Sequence, residues 1–206
     1  MENQDQTLLK DYSNDEKAAY FGALATMASV DGHASPEELE FLQMMAEAAE
    51  LSESIHNEIA EIAKNPNIIS LQKCLDELKE SPLRFSLITD IISFAKADGK
   101  YIQDEKDKIQ DIAHFLNINQ EQYSILDRFV NKANDAQLQG EDPTSQSFLN
   151  NSGFDDLFRK VGISPQMAKG MLGVIAPMVI AGMMRGGRRR NSYGGMGGGL
   201  LGGLLG

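Results

Sequence analysis

The 206-residue chain has a single cysteine, Cys74. That excludes an intramolecular disulfide and a cysteine cluster for zinc, and the expectation is a reducing compartment. The opening residues, MENQDQTLLKDYSNDEK, lack the basic start and apolar core of a signal peptide. Basic residues are scarce in the first 150 positions, where 12 Lys and Arg stand against 28 Asp and Glu, a net charge of −16. Such a body repels nucleic acid, so none is expected as a partner, and it attracts cations or basic surfaces. Alternation of apolar and polar residues at a period of two is missing, which argues against strands. Signatures of catalysis are missing as well: there is no HExxH, nucleophile elbow or P-loop. His33, His56 and His114 fall at unrelated points of the pattern. Cys74 has no histidine nearby in sequence and reads as a small buried apolar residue. The chain is not expected to be an enzyme.

What is present is a repeat. Shifted by 67 residues, Ala18–Gly32 lies on Phe85–Gly99. Phe21 meets Ile88, Leu24 meets Ile91, Ala25 meets Ile92 and Ala28 meets Ala95, in steps of three and four that mark an apolar helix face. Further on, Leu42 meets Ile109, Met45 meets Ile112, Ala46 meets Ala113, Leu51 meets Ile118, Ile59 meets Leu126 and Ile62 meets Phe129. The repeat spans 17–64 and 84–131, and each half reads as three helices. Ser52 and Asn119 are the expected N-caps of the third helix in each half. The joining segment 68–79 also reads as helical, and Ser81-Pro82 opens the second half. The expected fold class is all-α, a compact domain of two similar three-helix halves.

Each half turns at an Asp-Gly followed by acidic residues: SVDGHASPEELEFL from Ser29 and KADGKYIQDEKDKI from Lys96. In the first, Ser35, Pro36 and Glu38 fit an N-cap, a first helical position and a capping box. In the second, Ile102 replaces Ser35 as a poor cap, yet Asp104, Glu105 and Asp107 remain. An EF-hand is excluded, because Met27, Ser29, Phe94 and Lys96 stand where its loop needs Asp or Asn. Two readings of the turns stay open. One is capping and helix-dipole stabilisation. The other is a cation site in which Asp31 and Glu38 converge across the first turn, with Asp98 and Glu105 facing them if the halves pack about a pseudo-twofold axis.

Duplicated helical halves carrying ASVDGHASPEELEFL and AKADGKYIQDEKDKI resemble the TerB-like family, named after bacterial tellurite resistance; related domains stand at the front of some membrane-anchored DnaJ-type co-chaperones. The resemblance covers roughly residues 15–134. It implies a compact helical fold without established enzymatic chemistry and association with membrane-linked stress-response complexes. It also implies metal binding through Asp31, Glu38, Asp98 and Glu105, with calcium or another divalent cation as the ligand. Family members often stop after the helical body, whereas this chain continues for some seventy residues.

Ahead of the helical body, residues 1–14 read as a flexible N-terminus. After it, residues 135–152, rich in Gln, Ser, Asn, Gly and Pro, read as a linker. Residues 153–190 read as a short amphipathic segment (FDDLFRKVG) and then an apolar helix with a basic end. The charge reverses here: residues 151–206 hold seven basic and two acidic side chains, a net +5. From Met171 to Met184 there is no polar side chain, and Arg185, Arg188, Arg189 and Arg190 follow. The run is short for a bilayer span and is broken by Pro177. Residues 164–184 are expected to be helical and bent near Pro177. Met171, Leu172, Ile175, Met178 and Val179 with the four arginines are the expected contacts with an anionic membrane, a protein partner or another copy; docking on the body is a further option. Residues 191–206 are a flexible Gly/Leu-rich tail.

The functional expectation is a cation-binding interaction module of a bacterial stress-response system. It would be cytoplasmic, at or near the inner face of the membrane, with a protein partner. The alternative is a structural scaffold, anchored or self-assembled through its apolar tail.

Overall fold

A computed structural model describes residues 9, 11–28, 39–40, 42–43, 46–47, 49–65, 71–97, 103–143 and 145–164. The described residues are helical, with no strand among them, and the fold is all-α. The chain divides into two compact units, residues 1–78 and 79–206, so one copy of the repeat falls in each. Unit one holds α1 (Asn14–Ala28), α2 (Glu53–Lys64) and α3 (Leu71–Leu78). Leu39, Glu40, Leu42, Gln43, Ala46 and Glu47 are helical too. Unit two holds α4 (Leu83–Ala97), α5 (Gln103–Phe115), α6 (Gln120–Leu138), α7 (Gln146–Ser152) and α8 (Phe154–Lys160).

The matched apolar positions build the core. Phe21, Leu24, Ala25, Leu42, Ala46, Leu51, Ile59 and Ile62 are buried, and so are their counterparts Ile88, Ile91, Ile92, Ile109, Ala113, Ile118, Leu126 and Phe129. In unit one, α1 packs on α2 and α3; in unit two, α4 packs on α5 and α6. The first helix of each repeat is more deeply set than a single apolar face implies. Residues 19–27 of α1 and 85–93 of α4 are buried without interruption, the condition of a helix covered on every side. Small and hydroxylated residues make this tolerable. Thr26 Oγ1 donates to the Gly22 carbonyl at 2.8 Å and Thr89 Oγ1 to the Phe85 carbonyl at 2.7 Å, so neither hydroxyl is left unbonded. Gly22 admits Cys74, since a Cβ there would stand 3.1 Å from the Cys74 sulfur. Cys74 is buried and free, and burial pushes its thiol pKa up.

The corner between second and third helices repeats at atomic detail. Glu50 and Asn117, 67 residues apart, take left-handed φ values of 52° and 58°. The Glu50 N–H donates to Glu47 O at 2.9 Å and the Leu51 N–H to Ala46 O at 3.2 Å. The Asn117 N–H donates to His114 O at 3.1 Å and the Ile118 N–H to Ala113 O at 2.9 Å. Both are Schellman endings, which satisfy the last carbonyls of a helix. Two residues on, Ser52 and Asn119 serve as the expected N-caps, accepting from Ile55 N at 3.4 Å and Gln122 N at 2.9 Å. Asn tolerates the left-handed region through its short polar side chain; Glu does not. Glu50→Gly is therefore expected to stabilise unit one by about 0.5–1 kcal/mol, and Asn117→Gly to change unit two by less, as read from urea unfolding midpoints.

The segment 135–152 differs from a linker. Its start continues α6 to Leu138, and its end is α7, capped by the Ser145 hydroxyl on Phe148 N at 3.2 Å. Gly153, at φ 75°, ends α7 and starts α8, the short helix in FDDLFRKVG. That left-handed junction brings Phe148, Phe154 and Phe158 onto Phe129, with ring centroids at 6.5, 5.2 and 5.1 Å. Turn-forming composition marks the bends here, but the phenylalanines decide that the bends fold back.

Candidate cation site

Asp and Glu carboxylates are hard oxygen donors, suited to calcium or magnesium. Four were expected to act together. Asp31, Glu38 and Asp98 lie outside the described residues, as does the side chain of Glu105. Their surroundings in the chain are described. Asp98 follows directly on the last residue of α4, and Glu105 is the third residue of α5. In unit one, α1 ends at Ala28 and the chain is again helical at Leu39. In both repeats the acidic stretch thus lies, in sequence, between the first helix and the next described helical residues.

In the second repeat the end of α4 is braced. Lys96, in the last turn of α4, donates its ammonium to Asp127 Oδ1 and to Asn131 Oδ1, both at 2.7 Å, and to the Asp127 carbonyl at 3.4 Å. The side chains of Lys96 and Asp127 are only 11% and 19% exposed. The end of α4 is therefore tied to α6 two residues before Asp98. The repeat counterparts of Lys96, Asp127 and Asn131 are Ser29, Ala60 and Lys64, so the first repeat cannot form the same bridge. Lys96 was not singled out in the sequence; the one available signal is that mismatch with Ser29.

At the start of α5, Asp104 and Asp107 are exposed, and Gln103 Nε2 donates to Asp107 Oδ1 at 2.7 Å. A carboxylate in a first helical turn, such as that of Asp104, meets the positive end of the helix dipole, a favourable placement under either reading of the acidic stretch. Among the described residues, no group of three or more His, Cys, Asp or Glu side chains is arranged to hold a metal.

A separate cleft of about 170 Å³ lies in unit one, lined by Leu39, Leu42, His56, Ile59 and Ala63 among others. The counterparts of His56 and Ala63 are Tyr123 and Val130, both larger and both buried; the smaller pair leaves the space open. His56 Nε2 is buried there without a hydrogen-bond partner among the described residues. The described lining contains no carboxylate, so the cleft offers a hard cation nothing. His114 sits apart in the last turn of α5, exposed, and His33 lies outside the described residues.

The expected tail contacts, Met171, Leu172, Ile175, Met178, Val179, Arg185, Arg188, Arg189 and Arg190, also lie outside the described residues, together with the expected bend at Pro177. No described helix is long and apolar enough to cross a membrane.

Comparison with known protein families matches residues 18–128 to the family described as tellurite resistance protein TerB. Comparison with curated proteins and with solved structures gives no match.

Proposed function

The chain belongs to the TerB family, and from that premise we propose that it acts as a non-enzymatic, cation-responsive interaction module in a bacterial stress-response system. The observation that carries the reading is the recurrence, in sequence, of an acidic stretch after the first helix of each of two similar helical repeats. One such stretch is explained by capping. Its retention in the second repeat, where Ile102 has displaced the capping serine, favours a ligand for the carboxylates. Asp31, Glu38, Asp98 and Glu105 would supply hard oxygens to calcium or another divalent ion. The apolar run 171–184 and its four arginines would hold the acidic body against an anionic membrane at the cytoplasmic face, where a protein partner is met.

Calorimetry on the full chain tests the cation reading. Calcium, or failing that magnesium or zinc, is expected to bind with a dissociation constant below about 1 mM. Asp31→Asn combined with Asp98→Asn is expected to weaken binding at least about tenfold with helicity unchanged, each lost carboxylate removing an ionic donor. No heat with any divalent ion, in a chain that is folded by circular dichroism, would leave capping as the whole account of the turns.

A further inference from the structure

The cleft in unit one is the place where the two repeats part. Leu42 and Ala46 form one wall and Ile59 and Ala63 of α2 the other, all four buried and apolar. In unit two the chain fills and ties the corresponding place itself. Tyr123 and Val130, both buried, stand for His56 and Ala63. Asp127 and Asn131 stand for the lining residues Ala60 and Lys64, and each takes the Lys96 ammonium at 2.7 Å. Unit one has Ser29 where Lys96 stands, and supplies neither the ring nor the ammonium. The border of the cleft is acidic. Glu40 and Glu47 are exposed beside the lining residues Leu39 and Ala46. Glu61 is exposed beside Ala60, and Glu53 is exposed one helical turn before His56. Residues 39–64 hold six glutamates and one lysine. That lysine, Lys64, is already bonded to Glu61 at 3.1 Å.

We propose that this cleft is a docking site for a basic segment of a protein partner, which seats one apolar side chain between the two walls. The space, about 170 Å³, is below the roughly 300 Å³ of pockets that enclose a drug-sized ligand and close to the roughly 150 Å³ of an apolar cavity that takes benzene. That is room for one leucine, methionine or phenylalanine side chain. A free apolar molecule of that size would leave the bordering carboxylates unused. Lysine or arginine on both sides of the apolar residue meets Glu40 and Glu47 along one wall and Glu53 and Glu61 along the other. The inference gives the protein partner of the reading above a face, and it depends on neither the cation nor the membrane part of that reading.

The test titrates a fluorescein-labelled peptide, Gly-Lys-Lys-Leu-Lys-Lys-Gly, into the full chain, and the NMR resonances of His56 and Ala63 locate the contact. Its dissociation constant is expected to be at least about tenfold lower than that of the same peptide with serine in place of leucine, as burial of one leucine side chain implies. Binding is expected to weaken at least about threefold between about 0.05 and 0.3 M NaCl. His56→Tyr with Ala63→Val puts the residues of the second repeat into the cleft. This pair is expected to keep its helicity and to lose the preference for leucine over serine. Glu40→Lys with Glu47→Lys changes exposed positions only and tests the charges without touching the walls; binding is expected to weaken at least about tenfold. Equal affinity for the leucine and serine peptides, or unchanged binding in either double variant, overturns the docking site. So does a cleft whose resonances move with free benzene and not with the peptide, which makes it a site for a small apolar molecule. A chain that dimerises, becomes monomeric in His56→Tyr with Ala63→Val and ignores the peptide has a second copy as the occupant, and the proposal falls. None of these outcomes alters the calorimetry of the acidic turns, so the cation reading stands or falls separately.

Discussion

Phe129→Ala is expected to lower the stability of unit two by about 3–5 kcal/mol, the range for truncating a fully buried phenylalanine. Phe129 is completely buried and stands at the centre of an aromatic cluster. Phe154 and Phe158 meet its ring edge-on at 73° and 77°, arrangements that add about 0.5–1.5 kcal/mol each beyond burial. The loss should therefore exceed that of Ile62→Ala, the matched change in unit one. Hydrogen exchange under mild denaturant reads each unit separately: α6 amides should lose protection in Phe129→Ala, and α2 amides in Ile62→Ala. A cost under about 1 kcal/mol for Phe129→Ala would mean that α7 and α8 do not rest on α6.

Lys96→Met should cost unit two about 2–4 kcal/mol. The substitution keeps the apolar stem but leaves Asp127, 19% exposed, without its ammonium partner at 2.7 Å. Removing one member of a largely buried pair strands the other charge, and that penalty exceeds the net value of the pair. Because water reaches the site poorly, the loss should persist at high salt, unlike that of an exposed pair. Lys64→Met, which removes the exposed bridge to Glu61, is the control and should change stability by less than about 0.5 kcal/mol. A Lys96→Met variant as stable as wild type in a urea titration would mean that the end of α4 is not held by this bridge. If the cation reading holds, the same variant should also weaken binding at the second turn, since Asp98 lies two residues beyond the brace.

The repeat, the all-helical class and the caps at Ser52 and Asn119 were legible because they rest on local chemistry. A period of three or four apolar residues and a capping side chain act within one or two turns of backbone. The matched corner at Glu50 and Asn117 was half legible. Asn117 is a residue that suits a left-handed position, while Glu50 gives no such signal and is placed there by the burial of Leu51 behind it. The turns that carry Asp31 and Asp98 were located in the pattern as corners between helices; nothing in the spacing of the residues decides between a cap and a cation.

By itself, then, the sequence determined what the backbone does locally: where helices form, how they end, and that the pattern occurs twice. It also determined the charge division, −16 before residue 151 and +5 after. Only the tertiary structure decided which residues from distant elements meet. Lys96 reaches Asp127 across 31 positions, Gln122 reaches Val161 across 39, and Phe129 collects one ring from the stretch whose composition reads as a linker and two from the amphipathic segment after it. The reason is physical. Local propensities act over a few residues, whereas burial rewards any apolar groups that the chain can bring together, and one glycine at a positive φ is enough to bring the second set onto the first.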